Sequence, residues 1–261
     1  MKSKKMNILL SDFKNAVCSL KFVISIILGA GVCFFTLMFC GEYQSETIHK
    51  YILLHDRAQS FLAYIVGLLP YGLCFYEDLI HGNIRNIIGR IKLRDYILSK
   101  TIIAYLSTIL AFLFGKLIFV WLHSLYNPVC LENTFEKLPG SLLYLDFAKE
   151  GKYIFFFLLS GLQKAFYCAI LCQIVMLFSI WIQNISAVFS VPIAFFYVAH
   201  FYLNNKIKVE YLNFSRVFDG ATRIWETDSA NFLYSLFLMV ICGRILYRIT
   251  IFSFERKVYC E

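Results

Sequence analysis

Six long apolar runs constrain this chain more than any other feature. They are Phe22–Cys40, Ala58–Tyr76, Thr101–Leu122, Tyr153–Ile182, Ile185–Leu203 and Phe232–Ile251. The hydrocarbon core of a bilayer is about 30 Å thick and a helix rises 1.5 Å per residue, so about 20 apolar residues suffice to cross it. Of the 261 residues, 59% are apolar and 16% charged, against about 45–50% and about 25% in soluble domains. Mean hydropathy is +0.66. The expected fold is therefore all-α: a polytopic membrane protein with six transmembrane helices, one membrane domain over residues 1–261, placed in the cell membrane. The runs and their short connections leave no length here for a soluble catalytic domain. The fourth run is over-long, and only Gln183-Asn184 divides it from the fifth; a single bent hairpin is the alternative there. The first run ends without a small-residue cleavage pattern and reads as a retained span.

Lys and Arg counts give an orientation, because cytoplasmic loops carry the excess of basic residues. With the N-terminus inside, residues 1–21, 77–100, 183–184 and 244–261 hold fourteen basic residues, and the outer segments 41–57, 123–152 and 204–231 hold nine, offset by acids. The bias favours N-in and C-in, which requires an even number of spans. The net charge of +8 would suit nucleic acid in a soluble protein; here it orients the spans and faces anionic headgroups, and no nucleic-acid partner is expected.

Residues 7–21 carry Leu10, Phe13, Val17 and Leu20 at helical spacing, with Asp12, Lys14 and Lys21 elsewhere on the wheel. This reads as an amphipathic interfacial helix, and a frayed basic tail is the plainer alternative. In segment 204–231 apolar residues alternate with charges, from Ile207 to Trp225. It reads as an amphipathic segment dipping into the outer leaflet or capping a cavity, or as a plain surface helix. Ser25 and Gly29 form a small-xxx-small packing face, and Pro70 and Pro192 mark kinks.

Two cations, Lys116 and Lys164, interrupt apolar runs. Lys116 lies sixteen residues beyond Lys100, roughly 24 Å along a helix. Lys164 lies nineteen residues before Gln183, roughly 28 Å. Both fall near the far headgroups, where a long side chain snorkels and anchors its helix. The sharper alternative places both on a substrate path, since intramembrane charges are costly and functional by default.

Catalytic motifs are absent from the sequence. There is no P-loop, Rossmann fingerprint, H-E-x-x-H or G-x-S-x-G, and the five His are scattered. The nine Cys form no C-x-x-C pair and no zinc spacing; most lie in apolar runs, where Cys behaves as a small hydrophobe. Phe196-x-x-x-His200 and His200-x-x-x-Asn204 resemble fragments of the CAAX-processing protease family. One His serves both fragments, however, and Glu77-Asp78 has no Arg four residues after Asp78, so His200 reads as the polar end of a span. No enzyme activity, metal site or cofactor is expected on this chain.

The remaining feature is the charged island Glu77–Lys100 between the second and third runs. Ile84, Ile87, Ile88 and Ile91 recur at helical spacing beside Arg85, Arg90, Lys92 and Arg94. An amphipathic helix of this kind fills a protein groove or lies on headgroups. The order Glu77, Gly82, Ile87-Ile88, Arg94, Lys100, with six spans and no nucleotide motif, resembles the permeases of ATP-binding-cassette type 2 exporters. Gly89 stands where that family often has Pro. Size and composition are most similar to permeases of bacterial peptide-antibiotic (lantibiotic-type) immunity and resistance transporters.

The resemblance implies a cytoplasmic coupling helix over 78–95. Glu77, Gly82, Arg85, Ile88, Arg90 and Arg94 would meet a separate ATPase subunit that carries ATP and Mg. It also implies a second permease copy or a related permease, and export of a peptide, lipid-like or antibiotic substrate. A non-transporting immunity or sensor protein, binding its ligand at the outer face, is the alternative.

Overall fold

A computed structural model describes residues 2–38, 46–56, 61–81, 91–130, 142–182, 184–198, 211, 213–220 and 222–260. Every regular element among them is a helix. In chain order these are α1 (Lys2–Val17), α2 (Leu20–Met38), α3 (Thr47–Asp56), α4 (Phe61–Leu68), α5 (Cys74–Ile80) and α6 (Leu93–Ser124). There follow α7 (Leu145–Lys149), α8 (Tyr153–Phe178), α9 (Ile185–Tyr197), α10 (Phe214–Val217) and α11 (Asp228–Cys260).

Four of these are long and apolar enough to cross a membrane: α2, α6, α8 and the part of α11 from Asp228 to Lys257. They mark a membrane-embedded protein. The described residues contain four such helices, and the six expected spans are not all present among them. The second run is broken into α4 and α5 at 69–73, because Pro70 has no N–H to continue the ladder; the chain turns there through Gly72 N–H to Leu68 C=O at 2.9 Å. The described part of the fifth run forms α9, Ile185–Tyr197. Its start is fixed by Asn184, whose side chain accepts from Ser186 N–H at 2.9 Å and Ala187 N–H at 3.4 Å. That N-cap makes the division after α8 a true helix boundary.

The bundle is built around α8. Its apolar window is 72% buried, whereas that of α11 is 17% buried. A helix apolar on all sides can sit at the centre of a bundle, and small residues (Ser160, Gly161, Ala165, Ala169) let neighbours approach it. Helix α6 packs along α8 and also along α2. The α2–α6 contact is closest at Gly29 and Gly115, where a Cβ on Gly115 would lie 3.3 Å from Gly29 Cα. Ser25, on the same face of α2, donates to Val66 C=O at 2.6 Å. The small-xxx-small face therefore holds α2 against both α4 and α6.

The expected outer loops are partly folded. Ile48 and Tyr51 of α3, Leu143 and Tyr144 before α7, and Phe156 and Phe157 of α8 form a second apolar cluster. A single antiparallel bridge, Leu142 to Thr222, pins two connections together. This capped end lies beyond Lys116 on α6. At the opposite, charged end, α1 packs on the first turns of α6.

Candidate functional site

At the charged end the structure assembles a network around Lys100. Tyr96, Ser99 and Lys100 share a face of α6, because residues three and four apart are helical neighbours. Lys100 Nζ lies 3.5 Å from Asp12 Oδ1 on α1 and 3.2 Å from Asp78 Oδ2 on α5. Ser99 donates to Asp12 at 2.8 Å and Tyr96 donates to Asp78 at 2.6 Å. The side chains of Lys100, Asp12 and Asp78 are 13%, 12% and 16% exposed, so little solvent screens the pairs. One cation thus ties the amphipathic α1 to the end of α5 and the start of α6. The apolar residues Leu10 and Phe13 stay exposed on the other side of α1, as an interfacial helix requires.

Of the coupling residues expected from sequence, Gly82, Arg85, Ile88 and Arg90 lie outside the described residues. The described flanks of segment 78–95 belong to α5 up to Ile80 and to α6 from Leu93. Glu77 pairs with Lys21 at the start of α2. Arg94 lies 3.9 Å from Glu255 of α11, and its carbonyl accepts from Tyr247 at 3.2 Å. The described residues on either side of 82–90 are therefore fastened to α1, α2 and α11.

Lys116 and Lys164 do not reach the surface. They are 6% and 3% exposed and line one small cavity with Cys33 and Thr36. This corrects the anchoring expectation. The ammonium of Lys116 would have snorkelled past the position now filled by α3. Tyr51 of α3 instead places its ring 5.2 Å from Lys116 Nζ, with Phe112 at the same distance on another side. Lys116 has cation–π contacts and no hydrogen-bond partner among the described residues. Lys164 is paired: its Nζ lies 3.5 Å from Asp219.

Asp219 belongs to the segment before α11, which is stitched onto the middle of α8. Gln163 donates to Val217 C=O at 2.6 Å and accepts from Tyr144 at 2.6 Å. Phe218 is buried and stacks on Tyr167 with centroids 5.8 Å apart. Gly220 has φ +71°, and a Cβ there would meet Ser160 C=O at 2.5 Å. A side chain would both strain the backbone and strike α8. Asn231 holds the following turn, accepting from Ile224 and Trp225 N–H at 2.9 and 3.0 Å and donating to Trp225 and Thr227 C=O at 2.9 and 2.8 Å. The described part of 204–231 packs into the bundle against α8.

Beside this segment is a cavity of about 560 Å³, rimmed by Asp146, Glu150, Glu226, Asp228 and Arg223. Arg223 pairs with Asp228 at 2.8 Å and lies 3.9 Å from Asp146. Tyr144 occupies the left-handed region at φ 61°, held there by its N–H donating to Asp228 at 3.0 Å. Burial pushes the Tyr144 hydroxyl above the ordinary tyrosine range, which keeps it a donor to Gln163. Neither Tyr144 nor Asp219 stands out in the sequence; Asp12 does, as the one acid in a basic N-terminal stretch.

No family model matches the chain, and neither a curated protein nor a solved structure matches it.

Proposed function

We propose that this chain is the membrane-spanning permease subunit of an ATP-driven exporter of the ATP-binding-cassette kind. ATP and Mg would be bound by a separate ATPase that docks on segment 78–95. The observation that carries the reading is the Lys100 network. A connection that receives mechanical work must be fastened to the helices it moves, and both ends of 82–90 are fastened in this way. The basic bias supports a cytoplasmic position for the charged end, with both termini inside. On this reading α4–α5 and α9 belong to two further crossings, for six in total. One such chain lines half a pathway, so a second copy or a related permease completes it. Lys116 and Lys164 stand on the substrate path, and the cargo is a peptide, lipid-like molecule or antibiotic, as in self-immunity transport.

The test is co-purification of the chain with an ATP-binding-cassette ATPase encoded beside it. Charge reversal at Arg90 and Arg94 is expected to weaken that association and lower lipid-reconstituted ATPase activity. Unchanged association and activity in the reversed protein would sink the proposal. The acidic rim of the capped-end cavity favours a second reading, in which the chain is a non-transporting immunity or sensor protein that binds a cationic ligand there. Ligand binding that persists with no ATPase present, and no transport when one is supplied, would select it.

A further inference from the structure

Helix α11 leaves a groove of about 570 Å³ against α6. Its walls are Ile102, Leu106 and Ile109 on α6 and Met239 and Val240 on α11. From Leu98 to Ile109 the α6 wall runs about 16 Å, close to the depth of one leaflet, which is half of about 30 Å. The groove is therefore apolar over the length of hydrocarbon in a single monolayer.

One end of it is cationic. Arg244 and Arg248 line the groove one helical turn apart. Tyr247, between them in sequence, donates to the Arg94 carbonyl at 3.2 Å, which fixes their level at the first turns of α6, beside the Lys100 network. Both arginines are exposed, and no ion pair to either is formed among the described residues. Thr101 also lines the groove. Its hydroxyl is buried and has no hydrogen-bond partner among the described residues, although the residue is only 8% exposed.

We propose that the α6–α11 groove is a specific site for one anionic phospholipid. The two guanidinium groups take the phosphate by charge-assisted hydrogen bonds. One acyl chain lies along the apolar walls. Charge decides between occupants. The polar end of the groove carries positive charge only, which suits an amphiphile with a phosphate at one end; a protein helix would have to supply carboxylates at that one level. The bound lipid fills the gap between α6 and α11 where few of their residues touch. It thereby braces the end of the bundle that carries the Lys100 network. This proposal does not depend on the exporter reading.

The test uses the full chain purified in mild detergent, with phosphatidylglycerol and phosphatidylcholine as probes, read by native mass spectrometry and by thermal unfolding. One phosphatidylglycerol is expected to remain bound per chain and to raise the unfolding temperature, with phosphatidylcholine at least tenfold weaker. R244A/R248A, both exposed positions, is expected to lose that preference while unfolding normally without lipid. L106W, which fills the groove, is expected to exclude the lipid with both arginines intact. Equal binding of the two lipids, or undiminished phosphatidylglycerol binding by R244A/R248A, overturns the proposal. So does a homodimer whose crosslinks join Met239 of the two copies and which excludes lipid, because a second copy would then be the occupant.

Discussion

The two buried lysines make opposite predictions, and the contrast tests the reading of the bundle interior. Lys116 holds an ammonium group with no hydrogen-bond partner among the described residues, in contact with two aromatic rings. Burial of a lysine at membrane depth costs about 2.5–3.5 kcal/mol on insertion scales. The two cation–π contacts return about 0.5–1 kcal/mol each. Lys116→Met keeps the length and apolar stem, so it is expected to stabilise the fold by about 0.5–2.5 kcal/mol, taken as that cost less that return. For a chain of this size each kcal/mol moves the unfolding temperature by about 2–4 °C, so a rise of about 1–10 °C is expected. Lys164→Met removes the Lys164 cation that lies 3.5 Å from Asp219, a loss of about 2 kcal/mol for a hydrogen-bonded contact to a charged group. Thermal unfolding of both variants in the same detergent, followed by intrinsic fluorescence, measures the difference. If Lys116→Met lowered the unfolding temperature by several degrees, the Lys116 ammonium would have a counter-charge the structure does not provide, and the reasoning would fail. A stabilised Lys116→Met that also lost transport would place the ammonium on the substrate path.

Three further outcomes follow from named contacts. Lys100→Met takes the shared cation from Asp12 and Asp78, leaving each one hydrogen bond, from Ser99 and Tyr96, and is expected to cost about 3 kcal/mol and to release α1, seen as faster proteolysis within residues 2–17. Gly115→Ala brings a Cβ to 3.3 Å of both Gly29 Cα and Ile26 C=O, whereas at Gly29 the nearest contact is 3.6 Å; the first is expected to destabilise by about 1–3 kcal/mol and Gly29→Ala to be nearly neutral, both read by thermal unfolding. Asn231→Ala removes four hydrogen bonds of the cap turn and is expected to cost about 2 kcal/mol, with increased amide exchange confined to residues 222–231.

Helical class and membrane embedding were legible in the sequence, because run length and polarity are local properties and a bilayer imposes one solution on them. The break at Pro70 was also legible as a position, but as a kink; the separation into α4 and α5 depended on how 69–73 packs. Lys116 shows the limit most clearly. Counting residues from Lys100 placed it near a headgroup region, and that distance was sound. Whether water waits there depends on α3, a segment read from sequence as an outer loop.

The charged island was visible at once as an interruption between apolar runs. Its fastening was not, since Asp12 lies more than sixty residues before Asp78 and nearly ninety before Lys100 in sequence. What the sequence alone determined is the helical, membrane-embedded character of the long apolar runs, because their length and polarity are local properties. Only the tertiary structure decided which charges meet, because ion pairs between helices depend on three-dimensional register and leave no periodic trace along the chain. The Lys100 network, the Lys164–Asp219 pair and the arginine-lipped groove are all of that kind.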